Sequence, residues 1–239
     1  MLPTGAATPF PAFKAAFDEA TSACRGVKTI RASMGMSGRA GSTKLRGRID
    51  AGFASPDRAR LEGVHPVFGR PVFVLVAEGG RGTLVLTRED RVLRDAPPEQ
   101  IVEALAGVPL GADALRTAIS GCGFGGVPGE GREFSNGWIA AAVDEGTIYL
   151  RRGGTGWEVA AATRGPVTIA YAGFAAGLPS TIRIRADANG RSNADLTLQL
   201  SDVDINTTLD PRTFQIELPE RAVPLTLEEL RRAGPLGGS

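Results

Sequence analysis

The chain is poor in the residues that do chemistry. Its 239 residues include one histidine, two cysteines, two tyrosines and two tryptophans. A lone His65, set beside Pro66, does not build a serine triad, and no G-x-S-x-G elbow is present. Cys24 and Cys122 show no C-x-x-C spacing and, with one distant histidine, make no zinc pattern. Gly121 to Gly126 spells G-x-G-x-x-G, but it follows a helical pattern and precedes a strand pattern. That is the reverse of the dinucleotide-binding order. Asp202 and Asp204 share a strand face and read as solvated acids. No catalytic residue, metal ligand or cofactor is therefore expected.

Long apolar runs are also missing. None reaches the 18 residues of a membrane-spanning helix. Met1-Leu2-Pro3-Thr4-Gly5 lacks the basic segment and apolar core of a signal peptide, so it reads as a cytoplasmic start or the start of a mature domain. Charge of one sign is absent too: 27 basic residues balance 26 acidic ones, which removes any global attraction to nucleic acid. Basic residues do gather between Arg39 and Arg48, but at alternate strand positions, the pattern of a solvated sheet face.

What the chain has is alternation. Ile30, Ala32, Met34 and Met36 oppose Arg31, Ser33 and Ser37; Leu45, Ile49, Ala51 and Phe53 oppose Lys44, Arg46, Arg48 and Asp50. Side chains of a strand point to opposite faces with period two, so each run has one apolar face that something must cover. Strands are expected at about 28–40, 43–54, 57–64, 71–78, 81–87 and 91–94, then at about 138–143, 146–152, 156–163, 166–173, 180–187, 193–205 and 212–218. Phe73–Val76 is apolar on both faces, which predicts cover on both sides. The apolar register shifts from Leu196, Leu198, Leu200 to Val203, Ile205, which predicts a β-bulge near Ser201–Asp202.

Four helices interrupt or flank the strands. The first, from about Pro11 to Cys24, has the stripe Phe10, Phe13, Phe17, Ala20, Cys24 and stops at Gly26. A second starts at Pro98 and carries Ile101 and Leu105 up to Gly107. A third places Leu115 and Ile119 one turn apart. Both middle helices are too short to stand alone and need an apolar support. The last begins with a capping box, Thr226 with Glu229. Residues 1–9 read as a flexible leader, 10–235 as a single domain and 236–239 as a tail. Cys24 and Cys122 are either a disulfide, closing a loop of about 100 residues and adding about 4 kcal/mol, or two buried thiols. Pairing implies an oxidising compartment such as the periplasm.

Three stretches resemble the Lol family of bacterial lipoprotein-sorting proteins, especially LolB and more distantly LolA. Met36-Ser37-Gly38-Arg39 resembles the SGR opening of the first strand. His65-Pro66-Val67-Phe68-Gly69 resembles the PLG loop. Glu99 to Gly121 resembles the paired lid helices, although their usual tryptophan is absent near Thr117-Ala118. The resemblance implies an α+β, mainly antiparallel fold: an incomplete, half-open β-barrel of about eleven strands with short helices as a lid or inner plug. It also implies a periplasmic carrier or receptor that takes acyl chains from a LolA-like donor and delivers them to the inner leaflet of the outer membrane. Such a protein would be anchored by an N-terminal lipid preceding residue 1.

Under that reading, the acyl chain of a lipoprotein, or a free lipid of hopanoid-like or sterol-like kind, is bound by a monomer without catalysis or nucleic acid. The lining is Ile30, Met34, Met36, Leu45, Ile49 and Leu61 on the sheet, with Ile101, Leu105, Leu115 and Ile119 on the lid. The flexible thioethers of Met34 and Met36 suit variable ligands. Val67 and Phe68 form the loop apex, which touches a membrane or partner or folds back on the sheet. The alternative is a helix-filled interior, and with it a non-catalytic envelope interaction module.

Overall fold

The alternating runs up to residue 205 all become strands. The computed structural model describes residues 2–64, 69–144, 146–154, 156–188 and 191–235. Val67 and Phe68, with His65, lie outside the described residues. In chain order the elements are β1 (Ala7–Pro9), α1 (Phe13–Arg25), β2 (Thr29–Ala40), β3 (Thr43–Ala54), β4 (Arg58–Val64), β5 (Pro71–Glu78), β6 (Arg81–Leu86) and β7 (Arg91–Ala96). Then come α2 (Pro98–Ala106), α3 (Ala112–Ile119), β8 (Arg132–Phe134), β9 (Ile139–Val143), β10 (Gly146–Arg152), β11 (Trp157–Arg164) and β12 (Val167–Ala175). The chain closes with β13 (Leu178–Ala188), β14 (Arg191–Ile205), a 3-10 turn (Pro211–Phe214), β15 (Val223–Pro224) and α4 (Leu227–Ala233).

The strands hydrogen-bond in the order β1-β8-β9-β10-β11-β12-β13-β14-β2-β3-β4-β5-β6-β7-β15, so the sheet ends on β1 and β15 and does not close. It is mostly antiparallel, with β15 parallel to β7. The fold is α+β, as expected, with fifteen strands rather than about eleven. Part of the excess is β1, β8 and β15, of two or three residues each, too short to show periodicity. β1 also places the last three residues of the expected leader in the sheet, opposite β8.

The chain divides into two compact units: Met1–Val27 with Thr117–Arg183, and Lys28–Arg116 with Ile184–Ser239. In the first, α1 lies against β11 and β10. Its buried stripe is Phe13, Ala16, Phe17, Thr21 and Cys24, so Ala16 and Thr21 are buried where Ala20 was expected. Thr21 fits because its hydroxyl donates to the Phe17 carbonyl at 2.6 Å, which satisfies a polar atom the burial would otherwise strand. Cys24 and Cys122 are joined in a disulfide with Cα atoms 5.6 Å apart. Beside it, the buried Tyr171 hydroxyl donates to the Ala118 carbonyl at 2.9 Å and accepts from the Gly123 N–H at 3.1 Å. Burial raises that phenol above its ordinary range.

In the second unit the local signals perform as written. Pro98 is the first residue of α2, and Gly107 ends it in the left-handed conformation at φ 73°. α4 carries the full Thr226–Glu229 capping box. The Thr226 backbone N–H, the Thr226 hydroxyl and Arg91 hold the Glu229 carboxyl below the usual carboxylate range. The register of β14 on β2 shifts between Ser201 and Asp204, and Asp202 takes φ 49°: the predicted bulge. One strand did not form. Residues 212–218 instead make the 3-10 turn and an extended strap, because Pro211 follows Asp210, whose side chain accepts the Arg212 N–H. Phe214 and the partly buried Leu209 and Ile216 pack on Ala54, Val74 and Val76. That strap is the outer cover predicted for Phe73–Val76.

Candidate functional site

Cross-strand partners share a face, so the register of β14, β2, β3, β4, β5 and β6 sorts one face of the second unit into rows. The first row is Ile30, Phe53, Ala59, Ala77 and Gly82. The second is Ala32, Ala51, Leu61, Leu75 and Leu84. The third runs Leu200, Met34, Ile49, Gly63, Phe73 and Leu86. The fourth, shorter, is Leu198, Met36 and Gly47. All six sheet residues expected to line a pocket therefore share this face, with Leu45 opposite Gly38 one row further on.

A helix covers this face. A side chain on Gly82 would stand 2.8 Å from Ile101 Cδ1 and 3.4 Å from Leu75 Cδ1, so Ile101 of α2 sits directly over the first two rows. Ile101 is 0% exposed, and Val102 and Leu105 are buried on the same helix. α4 packs on α2. Leu115 and Ile119 of α3 are buried as well.

Burial is not uniform along the strands. Rows one and two are sealed throughout. In rows three and four, Met34, Leu198 and Leu86 are buried, but Met36, Ile49, Phe73 and Leu200 are only half-buried. The Phe73 ring lies over Gly63, where a Cβ would fall 2.1 Å from its Cε1. The result is a partly open apolar strip beside a sealed apolar interior, where β4 stops opposite Arg48, and the face is closed again one row further on by buried Leu45 and Leu196. Phe73 and Leu200 were not expected in the site. Their alternation was readable, but their exposure depends on which parts of the face the helices cover, and no local sequence pattern encodes that.

Outside the patch under the Phe214 strap, the opposite face is polar. Arg31 pairs with Asp204 at 2.8 Å and Arg48 with Asp50 at 3.0 Å, Ser33 donates to Asp50 at 2.5 Å, and Arg60 is bound to Glu62. Such solvated pairs contribute little to stability. Among the described residues no three His, Cys, Asp or Glu side chains converge to hold a metal ion, and no helix is long and apolar enough to cross a membrane.

An open antiparallel sheet with short helices on an apolar face defines a class of fold, and solved structures share it. A LolA superfamily protein from Nitrosomonas europaea superposes with a TM-score of 0.53, covering 85% of this chain and 97% of that one at 11% identity. A domain from Vibrio parahaemolyticus assigned to outer-membrane lipoprotein sorting matches with a TM-score of 0.52, covering 84% of this chain and 94% of its own at 12% identity. The chain thus has the LolA-like fold. No protein-family model and no curated protein matches the sequence.

Proposed function

We propose that this protein is a non-covalent carrier of acyl chains, working in the periplasm as a receptor for the lipid-bearing end of lipoproteins. One observation carries the reading: an apolar sheet face sealed under α2 around Ile101 and half-open at Met36, Ile49, Phe73 and Leu200. A hydrocarbon tail is bound by exclusion from water at about 0.8 kcal/mol per buried CH₂, with no reacting group needed. The half-open strip receives the tail, and displacement of α2 lengthens the berth. The lipoprotein-sorting role of the Vibrio neighbour and the Cys24–Cys122 disulfide support the assignment of cargo and compartment. Delivery to the outer membrane from a LolA-like donor completes the proposal.

The test is saturable uptake of a fluorescent acyl probe, competed by unlabelled lipoprotein or fatty acid. Leu105→Asp, which puts a carboxylate under the lid, is expected to abolish uptake. Ile49→Asp changes a half-buried rather than a sealed side chain, and is expected to weaken uptake at least tenfold with an unchanged circular dichroism spectrum. Absence of saturable uptake by the wild type, or uptake unaltered by both substitutions, refutes the proposal and leaves a filled-core interaction module.

A further inference from the structure

The polar face changes character beside that strip. Along the outer positions of β3 the residues read Lys44, Arg46, Arg48, Asp50. Arg48 is neutralised by Asp50 at 3.0 Å, and beyond it the cations go unanswered. Arg39 stands directly opposite Lys44, and Ser37 directly opposite Arg46. Like charges facing each other across strands destabilise a sheet. Asp195 of β14, opposite Arg39, is the one acid in register with this group. Arg70, exposed just before β5, adds a further cation where β4 ends. Arg39, Lys44, Arg46 and Arg70 are all exposed, and none of them ion-pairs with another described residue. Between Arg46 and Arg48 opens a hollow of about 400 Å³, lined also by Ser37 and Gln199, whose side chains offer hydrogen-bond donors.

We propose that this basic end, Arg39, Lys44, Arg46 and Arg70, docks the protein on an anionic phospholipid surface, with the 400 Å³ hollow taking a phosphate headgroup. Two features choose a bilayer over another anion. The hollow is lined by half-buried Met36 as well as by Arg46 and Arg48, with Lys44 and Arg39 two rows further on, so an anionic layer backed by hydrocarbon meets charge and apolar surface together. The set is also spread along a hairpin rather than converging on one point, which suits many headgroups better than one small ion. The proposal rests on the carrier reading only for why a bilayer is met; the charge pattern stands without it.

The experiment is co-sedimentation with phosphatidylcholine vesicles made with and without phosphatidylglycerol, at low and high salt. The wild type is expected to bind the anionic vesicles, to lose binding in high salt, and to ignore the zwitterionic ones. A basic side chain near an anionic surface is worth about fivefold in partitioning, so the combined Arg39→Glu, Lys44→Glu, Arg46→Glu variant is expected to partition at least a hundredfold less. Its uptake of the acyl probe is expected to stay at the wild-type level, which separates failure of docking from failure of the carrier. Binding indifferent to phosphatidylglycerol, or retained by the triple variant, overturns the proposal. So does loss of docking to an acidic protein partner without any wild-type vesicle binding. Competition by inorganic phosphate well below the ionic strength that screens binding would assign the hollow to a free anion and overturn it too.

Discussion

Tyr171→Phe removes one oxygen, and the structure says what that oxygen holds. The hydroxyl donates to the Ala118 carbonyl at 2.9 Å and accepts from the Gly123 N–H at 3.1 Å, in a buried position. Ala118 keeps a second partner, since its carbonyl also accepts the Gly121 N–H at 3.1 Å. Gly123 N–H is left with none of its present bonding. An orphaned buried N–H costs about 1–3 kcal/mol and the lost second bond about 0.5–1 kcal/mol, so the variant should lose about 2–3 kcal/mol at neutral pH. For a chain of this size that lowers Tm by about 5–10 °C. The penalty depends on pH in a defined sense. Burial raises the native phenol, while the unfolded phenol titrates near its ordinary value of about 10. Above that pH the unfolded state releases a proton that the native state keeps, so wild-type stability falls by about 1.4 kcal/mol per pH unit from this group. The phenylalanine variant lacks that slope. Urea unfolding of both proteins is expected to show the gap at pH 8 and its narrowing from about pH 10 upward. A loss under about 0.5 kcal/mol, or a gap constant with pH, would refute the reasoning.

The disulfide closes a separation of 98 residues, so replacing Cys24 and Cys122 by serine is expected to cost about 4 kcal/mol in equilibrium unfolding. Wild type unfolded in reductant should match the variant. In the hairpin between β12 and β13, Ala176 and Gly177 take φ 50° and 79°, a type I′ turn with alanine at its first central position. Ala176→Asn, which tolerates that conformation, is expected to raise stability by about 0.5–1 kcal/mol in the same assay.

The parts of the fold that were legible in the sequence are those set by neighbours in the chain. Pro98 and Gly107 bound α2, Thr226 and Glu229 start α4, and the change of apolar register places the β14 bulge, all from contacts within a few residues. The strap around Phe214 was misread as a strand for a physical reason. Phe214 and Ile216 alternate with exposed Gln215 and Glu217 because one side rests on Val74 and Val76, and a single covered side yields the same pattern as a paired strand. The site was half legible. Register brought Ile30, Met34, Met36, Leu45, Ile49 and Leu61 to one face as their alternation implied. The contrast between sealed and half-open positions arises from which parts of six strands the helices cover, which is a long-range property.

That contrast sets the terms on which a carrier of this design would work. Ile101, Val102 and Leu105 are all buried, so lifting α2 re-exposes three large side chains at about 1.5–3 kcal/mol each, roughly 5–9 kcal/mol together. Burying a chain of about 16 carbons returns about 12 kcal/mol, and one of about 8 carbons about 6 kcal/mol. Under the carrier proposal, long chains outweigh the cost of opening and short ones do not, so the empty protein is expected to stay closed and to select for length. In the acyl-probe assay, affinity should therefore rise slowly while the tail occupies only the Met36–Ile49–Phe73–Leu200 strip, then steeply once it is long enough to displace α2. A uniform increment per CH₂ from the shortest chains onward would mean the open strip alone is the binding site and the helix is fixed core.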